Sequence, residues 1–95
     1  MPLRKREPLP ANVHLRQFCE LMAKEGWYMT RRGWPDFACF KDGRVIFVEV
    51  KPNRSRKLKV EQLRMLQALA ALGAKAYRWS PGSGFEPIVP KIEKP

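Results

Sequence analysis

The sequence predicts an α/β fold in which a mixed four-stranded β-sheet is flanked by helices. Three observations predict it: two stretches have apolar residues at helical spacing, short strand-like runs lie between and after them, and two of these runs are separated only by Asp42-Gly43. The order is helix, three strands, helix, strand, so a right-handed crossover joins the last two strands. We expect residues 1–95 to form one domain around one core.

The first helix follows a basic, Pro-rich arm at residues 1–11. Asn12 is a residue type that caps helices, and Gly26 suits the position just after a helix end. Between them an apolar stripe recurs at i, i+3, i+4 and i+7. Its members are Leu15, Phe18, Cys19 and Met22.

A strand at residues 27–31 and a hairpin of residues 36–41 and 44–51 come next. Asp-Gly between β-forming runs favours a two-residue turn. Both hairpin faces are apolar, so both need cover. One face carries Phe37, Cys39, Ile46, Val48 and Val50, and the other carries Ala38, Phe40, Val45 and Phe47.

The remaining elements are a second helix at residues 59–72, which closes at Gly73, and a last strand at 75–79. Residues 81–95 are punctuated by Gly and Pro, so we expect an irregular tail. Cys19 and Cys39 fall in apolar patterns, which indicates reduced core thiols more than a disulfide.

The charge indicates a polyanionic partner. Nineteen Lys and Arg against nine Asp and Glu leave a net charge of +10, which suits nucleic acid or an anionic membrane surface. No apolar run is long enough to cross a bilayer, and the basic N-terminus lacks the apolar region of a secretory signal. We therefore expect a cytoplasmic protein without a membrane partner.

The hairpin register brings acidic residues together. Counting outward from the turn, Lys41 faces Arg44, and the same count places Asp36 opposite Glu49. Directly opposed residues have Cβ atoms about 4.5–5.5 Å apart, so the two carboxylates converge on one face. Lys51, two residues beyond Glu49, projects from that face as well.

Two opposed carboxylates need a cation between them, and Mg²⁺ prefers oxygen ligands. Asp36, Glu49 and the main-chain carbonyl of Val50 would supply such ligands, and a metal-bound water could attack a phosphodiester. Lys51 could deprotonate that water or stay charged and stabilise the developing charge; its acidic neighbours favour the charged role. The structural alternative is a salt-bridged cluster at a strand end.

These residues resemble a known family. Gly33-Trp34-Pro35-Asp36 followed by Phe47-Val48-Glu49-Val50-Lys51 is similar to the PD-(D/E)xK nucleases, and more narrowly to their VRR-NUC branch, the virus-type replication-repair nuclease domains. The likeness runs from Gly26 through Gln62 and Gly73 to Trp79.

The resemblance implies a restriction-endonuclease-like α-β-β-β-α-β core and DNA cleavage that depends on Mg²⁺ or Mn²⁺. It implies that Asp36 and Glu49 bind the metal, that Lys51 is the catalytic lysine and that Gln62 matches a family glutamine. By spacing alone, Gln62 fits an exposed helical position equally well. Stand-alone members resemble Holliday-junction resolvases and are dimeric. By the same resemblance, the small stand-alone domain suggests a phage or prophage origin and a location in a bacterial or phage-infected host cell.

One feature departs from the family pattern. The family places a glutamate early in the first helix, whereas this stretch reads Ala-Asn-Val-His-Leu-Arg-Gln. Glu20, Glu7, Asn12 or His14 are the alternatives for its position, and the number of metal ions stays open with them. Without partners at ligand spacing, His14 is better interpreted as a helix-surface residue.

A basic segment follows the acidic pair. Lys51 is followed by Arg54, Arg56, Lys57 and Lys59 with no acid between them, and Arg31 and Arg32 precede Gly33. Such residues bind DNA phosphates without reading sequence. We therefore expect an endonuclease that selects branched DNA or a Holliday junction by shape and acts as a homodimer without a small-molecule cofactor. The alternatives are a non-catalytic DNA-binding protein and an inactive nuclease-like subunit of a repair assembly.

Overall fold

The computed structural model describes residues 12–31 and 35–91, which form two helices and one five-stranded mixed sheet. In chain order the elements are α1 (Val13–Lys24), β1 (Tyr28–Arg31), β2 (Phe37–Lys41), β3 (Arg44–Val50), α2 (Val60–Ala71), β4 (Lys75–Ser80) and β5 (Gly84–Pro87). The predicted α/β class and mixed sheet are confirmed, but the predicted count of four strands is wrong.

The fifth strand lies in the stretch that was expected to be an irregular tail. β5 pairs antiparallel with β4, with Ser80 opposite Gly84 and Tyr77 opposite Pro87. It has only four residues and ends in proline, which cannot donate to a ladder and is tolerated only at the sheet edge. Its pairing comes from a tight turn after β4 and not from any strand-like composition.

The strands lie in the order β1-β2-β3-β4-β5, and only β3 and β4 are parallel. The crossover between them is α2. The β2–β3 hairpin has the predicted register, with Lys41 opposite Arg44 and Phe37 opposite Val48. Asp42 and Gly43 have φ angles of 52° and 75°, as a two-residue turn of type I′ requires.

Helix α1 covers one face of the sheet with the predicted stripe. The ring of Phe18, which is fully buried, lies 5.2 Å from the Phe37 ring and 5.3 Å from the Trp79 ring. Buried residues of the helix and of three strands complete this core: Leu15, Cys19, Met22, Met29, Cys39, Val48 and Val50. Both cysteines are buried and reduced, as predicted, and burial raises the pKa of Cys39 to about 12.

Helix α2 covers only part of the other face. It packs against β4, with Leu66 and Ala76 buried. Phe40 stays 40% exposed beyond the reach of this helix. The expectation of cover on both faces is therefore only partly met, because a 12-residue helix between adjacent strands cannot also shield β1 and β2.

The helix ends refine the sequence prediction. Asn12 occupies the N-cap position of α1, but its side chain makes no capping hydrogen bond. Gly26 has a φ of +86° just after the helix, which suits glycine. At α2 the cap is Lys59, whose main-chain N–H donates to Oε1 of Gln62 at 2.9 Å. Within residues 12–31 and 35–91, no helix is long and apolar enough to cross a membrane.

Candidate active site

The two predicted carboxylates meet where β2 begins and β3 ends. The main-chain N–H of Asp36 donates to Oε1 of Glu49 at 3.0 Å, and that of Val50 donates to Oδ2 of Asp36 at 3.0 Å. Each carboxylate is thus held by an amide of the opposite strand. The hairpin register places these residues opposite each other, and the reciprocal hydrogen bonds fix the direction of both side chains.

Glu49 is a buried acid with a raised pKa. It is 3% exposed, and its pKa rises to about 7, first because burial disfavours the charged form and then because Asp36 is close. The N–H of Asp36 and the charge of Lys51 act in the opposite direction without cancelling the shift. A divalent cation between the carboxylates would favour the ionised form, so proton release and metal binding are linked at this position.

Gln62 connects Glu49 with Lys51. Its Nε2 donates to Oε2 of Glu49 at 2.9 Å, and its Oε1 accepts from Nζ of Lys51 at 3.0 Å. Nζ of Lys51 lies 3.9 Å from Oε2 of Glu49, so the ammonium contacts the acid mainly through the amide. Gln62 is therefore not a freely exposed helical residue but lies between Glu49 and Lys51, and its role in catalysis stays a prediction.

The oxygen donors fit a hard cation that keeps several waters. Two carboxylates on adjacent strands leave open positions for water and phosphate, as Mg²⁺ sites in phosphoryl chemistry commonly do. No cluster of three His, Cys, Asp or Glu occurs in the described part of the chain, so the side-chain ligands available there are these two. The main-chain N–H of Val50 lies at the pair, and a ligand role for its carbonyl stays a prediction.

Of the alternatives for the missing helix glutamate, His14 and Glu20 form no metal-binding group with the pair in the part of the chain described. Asn12, His14 and Glu20 belong to the α1 segment, which packs on the face opposite the Glu49 side chain, and Glu20 is exposed. Glu7 lies outside the described residues, as do Gly33 and Trp34 of the motif.

The basic loop, residues 51–59, leaves the site and leads into α2. Arg54, Arg56, Lys57 and Lys59 are all exposed on it, as a phosphate-contacting segment requires. Arg31 is exposed at the end of β1 and pairs with Phe37, next to Asp36. Arg32 lies outside the described residues.

Arg78 is a neighbour of the site that the sequence did not predict. It is paired with Glu49 across the parallel β3–β4 ladder, and its guanidinium donates to main-chain carbonyls of the basic loop. The signal was hidden because a 12-residue helix separates the two strands, so their register cannot be counted along the sequence. The alternation of side chains along β4 indicates only the sheet face on which Arg78 lies.

Comparisons with protein-family models, with curated proteins and with solved structures find no match to this chain.

Proposed function

We propose that the chain is a metal-dependent endonuclease that hydrolyses phosphodiester bonds in DNA. The observation that carries the proposal is the pair Asp36 and Glu49, whose carboxylates are fixed by reciprocal main-chain hydrogen bonds with Lys51 and Gln62 beside them. A structural salt bridge between Lys51 and Glu49 needs neither a second acid beside Glu49 nor an amide between the lysine and the acid. Phosphodiester hydrolysis with a hard cation uses all four groups.

Each residue has a defined task in this proposal. Mg²⁺ or Mn²⁺, when bound, would polarise the phosphodiester and activate a water. Asp36 and Glu49 would hold the ion through their carboxylate oxygens, which ionised carboxylates supply best. Lys51 stays charged and stabilises the negative charge that develops on the phosphate oxygens. Gln62 keeps Lys51 and Glu49 in place, because its amide has a partner on each side.

The wider family assignment is part of the same proposal. The order from α1 to β4 supports a restriction-endonuclease-like core of the VRR-NUC type, with β5 as an added edge strand. DNA is the proposed partner because the net charge is +10 and the exposed cations of the basic loop follow the acidic pair directly. Selection of branched DNA and action as a homodimer are further parts of the proposal.

A DNA-binding protein without chemistry is the second candidate. One observation favours it: within residues 12–31 no acid of α1 joins Asp36 and Glu49, so the ligand set is smaller than the family pattern implies. An inactive nuclease-like subunit of a repair assembly would share this feature. Under either alternative the protein does not cleave DNA, so substitution of Lys51 should change DNA affinity and no other property.

The test is cleavage of labelled duplex, flap and four-way-junction DNA with Mg²⁺, with Mn²⁺ or with EDTA. Lys51→Ala should reduce the cleavage rate by about 100-fold or more while the protein still binds DNA, because one preorganised charge at a transition state contributes that much. Lys24→Ala, an exposed lysine on α1, is the control for the loss of one positive charge.

Metal-dependent cutting that is lost in Lys51→Ala and kept in Lys24→Ala would support the nuclease, and the substrate that is cut fastest would define its structural preference. Binding of all three substrates without cutting in any metal would overturn the proposal in favour of a non-catalytic DNA-binding protein. Equal cutting by wild type and Lys51→Ala would overturn the assigned site.

A further inference from the structure

The basic loop is shaped by its own hydrogen bonds. Oδ1 of Asn53 accepts from the main-chain N–H groups of Ser55 at 3.1 Å and Arg56 at 3.0 Å, and from the Ser55 hydroxyl at 2.7 Å. These bonds close a local turn, but they join loop residues only to one another. A turn of this kind can move as a unit relative to the sheet unless something else holds it.

Arg78 supplies that connection. Its Nη2 donates to the main-chain carbonyl of Asn53 at 2.8 Å and to that of Arg56 at 2.7 Å, so one nitrogen spans the turn. Its Nη1 donates to Oε1 of Glu86 on β5 at 2.6 Å, and lies 3.4 Å from the Ser80 hydroxyl. The Arg78 side chain is only 11% exposed. A planar guanidinium can serve both sides at once, whereas an ammonium is a single point of contact.

The strand that carries Arg78 lies directly beside the catalytic strand. Glu49 and Arg78 are register partners in the parallel ladder, so Arg78 starts from a position fixed relative to Glu49. The loop that it holds begins at Lys51 and carries the exposed cations. The loop is therefore held at two points, by its covalent connection to β3 at Lys51 and by Arg78 at the turn. Together these two points set the distance between the loop cations and the carboxylates.

We propose that Arg78 is a positioning residue for DNA binding, which holds the basic loop where its cations meet the phosphate backbone next to the cleavage site. The inference rests on the proposed function, because it assigns the loop to DNA. Arg78 does not contact DNA in this arrangement, since its guanidinium is directed at loop carbonyls, at Ser80 and at Glu86. Its loss should lower affinity without slowing the chemical step on DNA that is already bound.

The decisive variant is Arg78→Lys. It keeps the positive charge and leaves the set of trypsin cleavage sites unchanged, but it removes the planar guanidinium. Its matched control is Arg16→Lys, an exposed arginine on α1. Three quantities are compared with wild type: DNA affinity by fluorescence anisotropy in EDTA, the single-turnover cleavage rate at saturating DNA, and the rate of tryptic cleavage after Arg54, Arg56 and Lys57 without DNA.

Arg78→Lys should weaken DNA binding by about tenfold and speed tryptic cleavage of the loop by a similar factor, as expected for loss of one or two charge-assisted hydrogen bonds. The saturating rate should stay within about threefold of wild type, because no group at the phosphate is removed. Arg16→Lys should change none of the three quantities. Glu86→Gln, which leaves the fork but weakens its orientation, should give smaller changes in the same directions.

Unchanged affinity and unchanged loop proteolysis in Arg78→Lys would overturn the inference. A saturating rate that falls as far as the affinity would also overturn it, since Arg78 would then act at the reacting groups. If Arg78→Lys fails to fold, as judged by thermal unfolding, Glu86→Gln decides by the same criteria. A wild type that binds DNA but never cuts it would refute the nuclease alone; affinity and proteolysis would still decide the role of Arg78.

Discussion

The two faces of the sheet differ in what they bury. Among the described residues, the α1 face buries apolar side chains, with the ring of Phe18 between those of Phe37 and Trp79. The α2 face buries Glu49 beside Asp36 and leaves Phe40 40% exposed. Burial of apolar rings stabilises the fold, whereas burial of a carboxylate destabilises its charged form. The apolar core and the proposed active site therefore lie on opposite faces of one sheet, so substitutions should separate effects on stability from effects on cleavage.

The largest loss of stability is expected from Phe18→Ala. Removing a fully buried aromatic side chain destabilises a protein by about 3–5 kcal/mol, through lost burial and the cavity that remains. Urea unfolding followed by circular dichroism measures this change. Cleavage per folded molecule should be unaltered, because Phe18 packs on the sheet face opposite the Glu49 side chain. A loss below about 1 kcal/mol would contradict the assignment of the core to this face.

Glu49→Gln should make the metal-free protein more stable than wild type at high pH, whereas Phe18→Ala makes it less stable. The pKa of Glu49 is raised to about 7 in the folded protein. An acid with a raised pKa contributes stability that is fully present below its unfolded pKa and is lost as the pH rises through the folded value. The metal-free wild type should therefore lose about 2–3 kcal/mol between pH 5 and pH 8.5 through this group, and Glu49→Gln should not.

Unfolding in urea at the two pH values, with EDTA and then with Mg²⁺, tests this expectation. Mg²⁺ should restore stability at pH 8.5 in the wild type and have little effect on Glu49→Gln. Glu25→Gln removes an exposed acid on the other side of the molecule and should behave as wild type. A variant that follows the wild-type pH dependence throughout would show that Glu49 is not the titrating group.

The difference between the faces also explains which parts of the molecule the sequence could predict. The Asp42-Gly43 turn fixes the hairpin register locally, and the opposition of Asp36 and Glu49 follows by counting residues. The helical stripe of α1 likewise predicts the core, because each of its members repeats at a fixed spacing. In both cases the information lies within about a dozen residues of chain.

The features that were missed depend on contacts between distant residues. Arg78 meets Glu49 only through the register of a crossover, and β5 pairs only because a turn returns the chain to β4. Composition gives no signal for either, since Gly-Phe-Glu-Pro is a poor strand sequence. The partial cover of the α2 face was missed for the same reason. The periodicity of a strand shows which of its faces are apolar, but it does not show how much of the sheet a helix covers.

Gln62→Met should produce an intermediate effect, confined to chemistry. Methionine has a similar shape but cannot join Glu49 to Lys51. We expect a cleavage rate about tenfold lower, as loss of one to two positioning hydrogen bonds implies, with stability changed by less than about 1.5 kcal/mol. Single-turnover cleavage measures this, with Gln67→Met on the same helix as the control. Equal rates in the two variants would remove Gln62 from the site.

Phe40→Ala should have the smallest effect and completes the comparison with Phe18. Both substitutions truncate the same residue type, but Phe40 is 40% exposed and its ring meets that of Tyr28 at 6.0 Å in a tilted arrangement. The lost burial is a fraction of that at Phe18, so we expect a destabilisation of about 1 kcal/mol. Urea unfolding of the dilute protein checks it. A loss as large as that of Phe18→Ala would mean that the open half of the α2 face is covered in solution, which sedimentation equilibrium on the same sample would reveal as self-association lost in the variant.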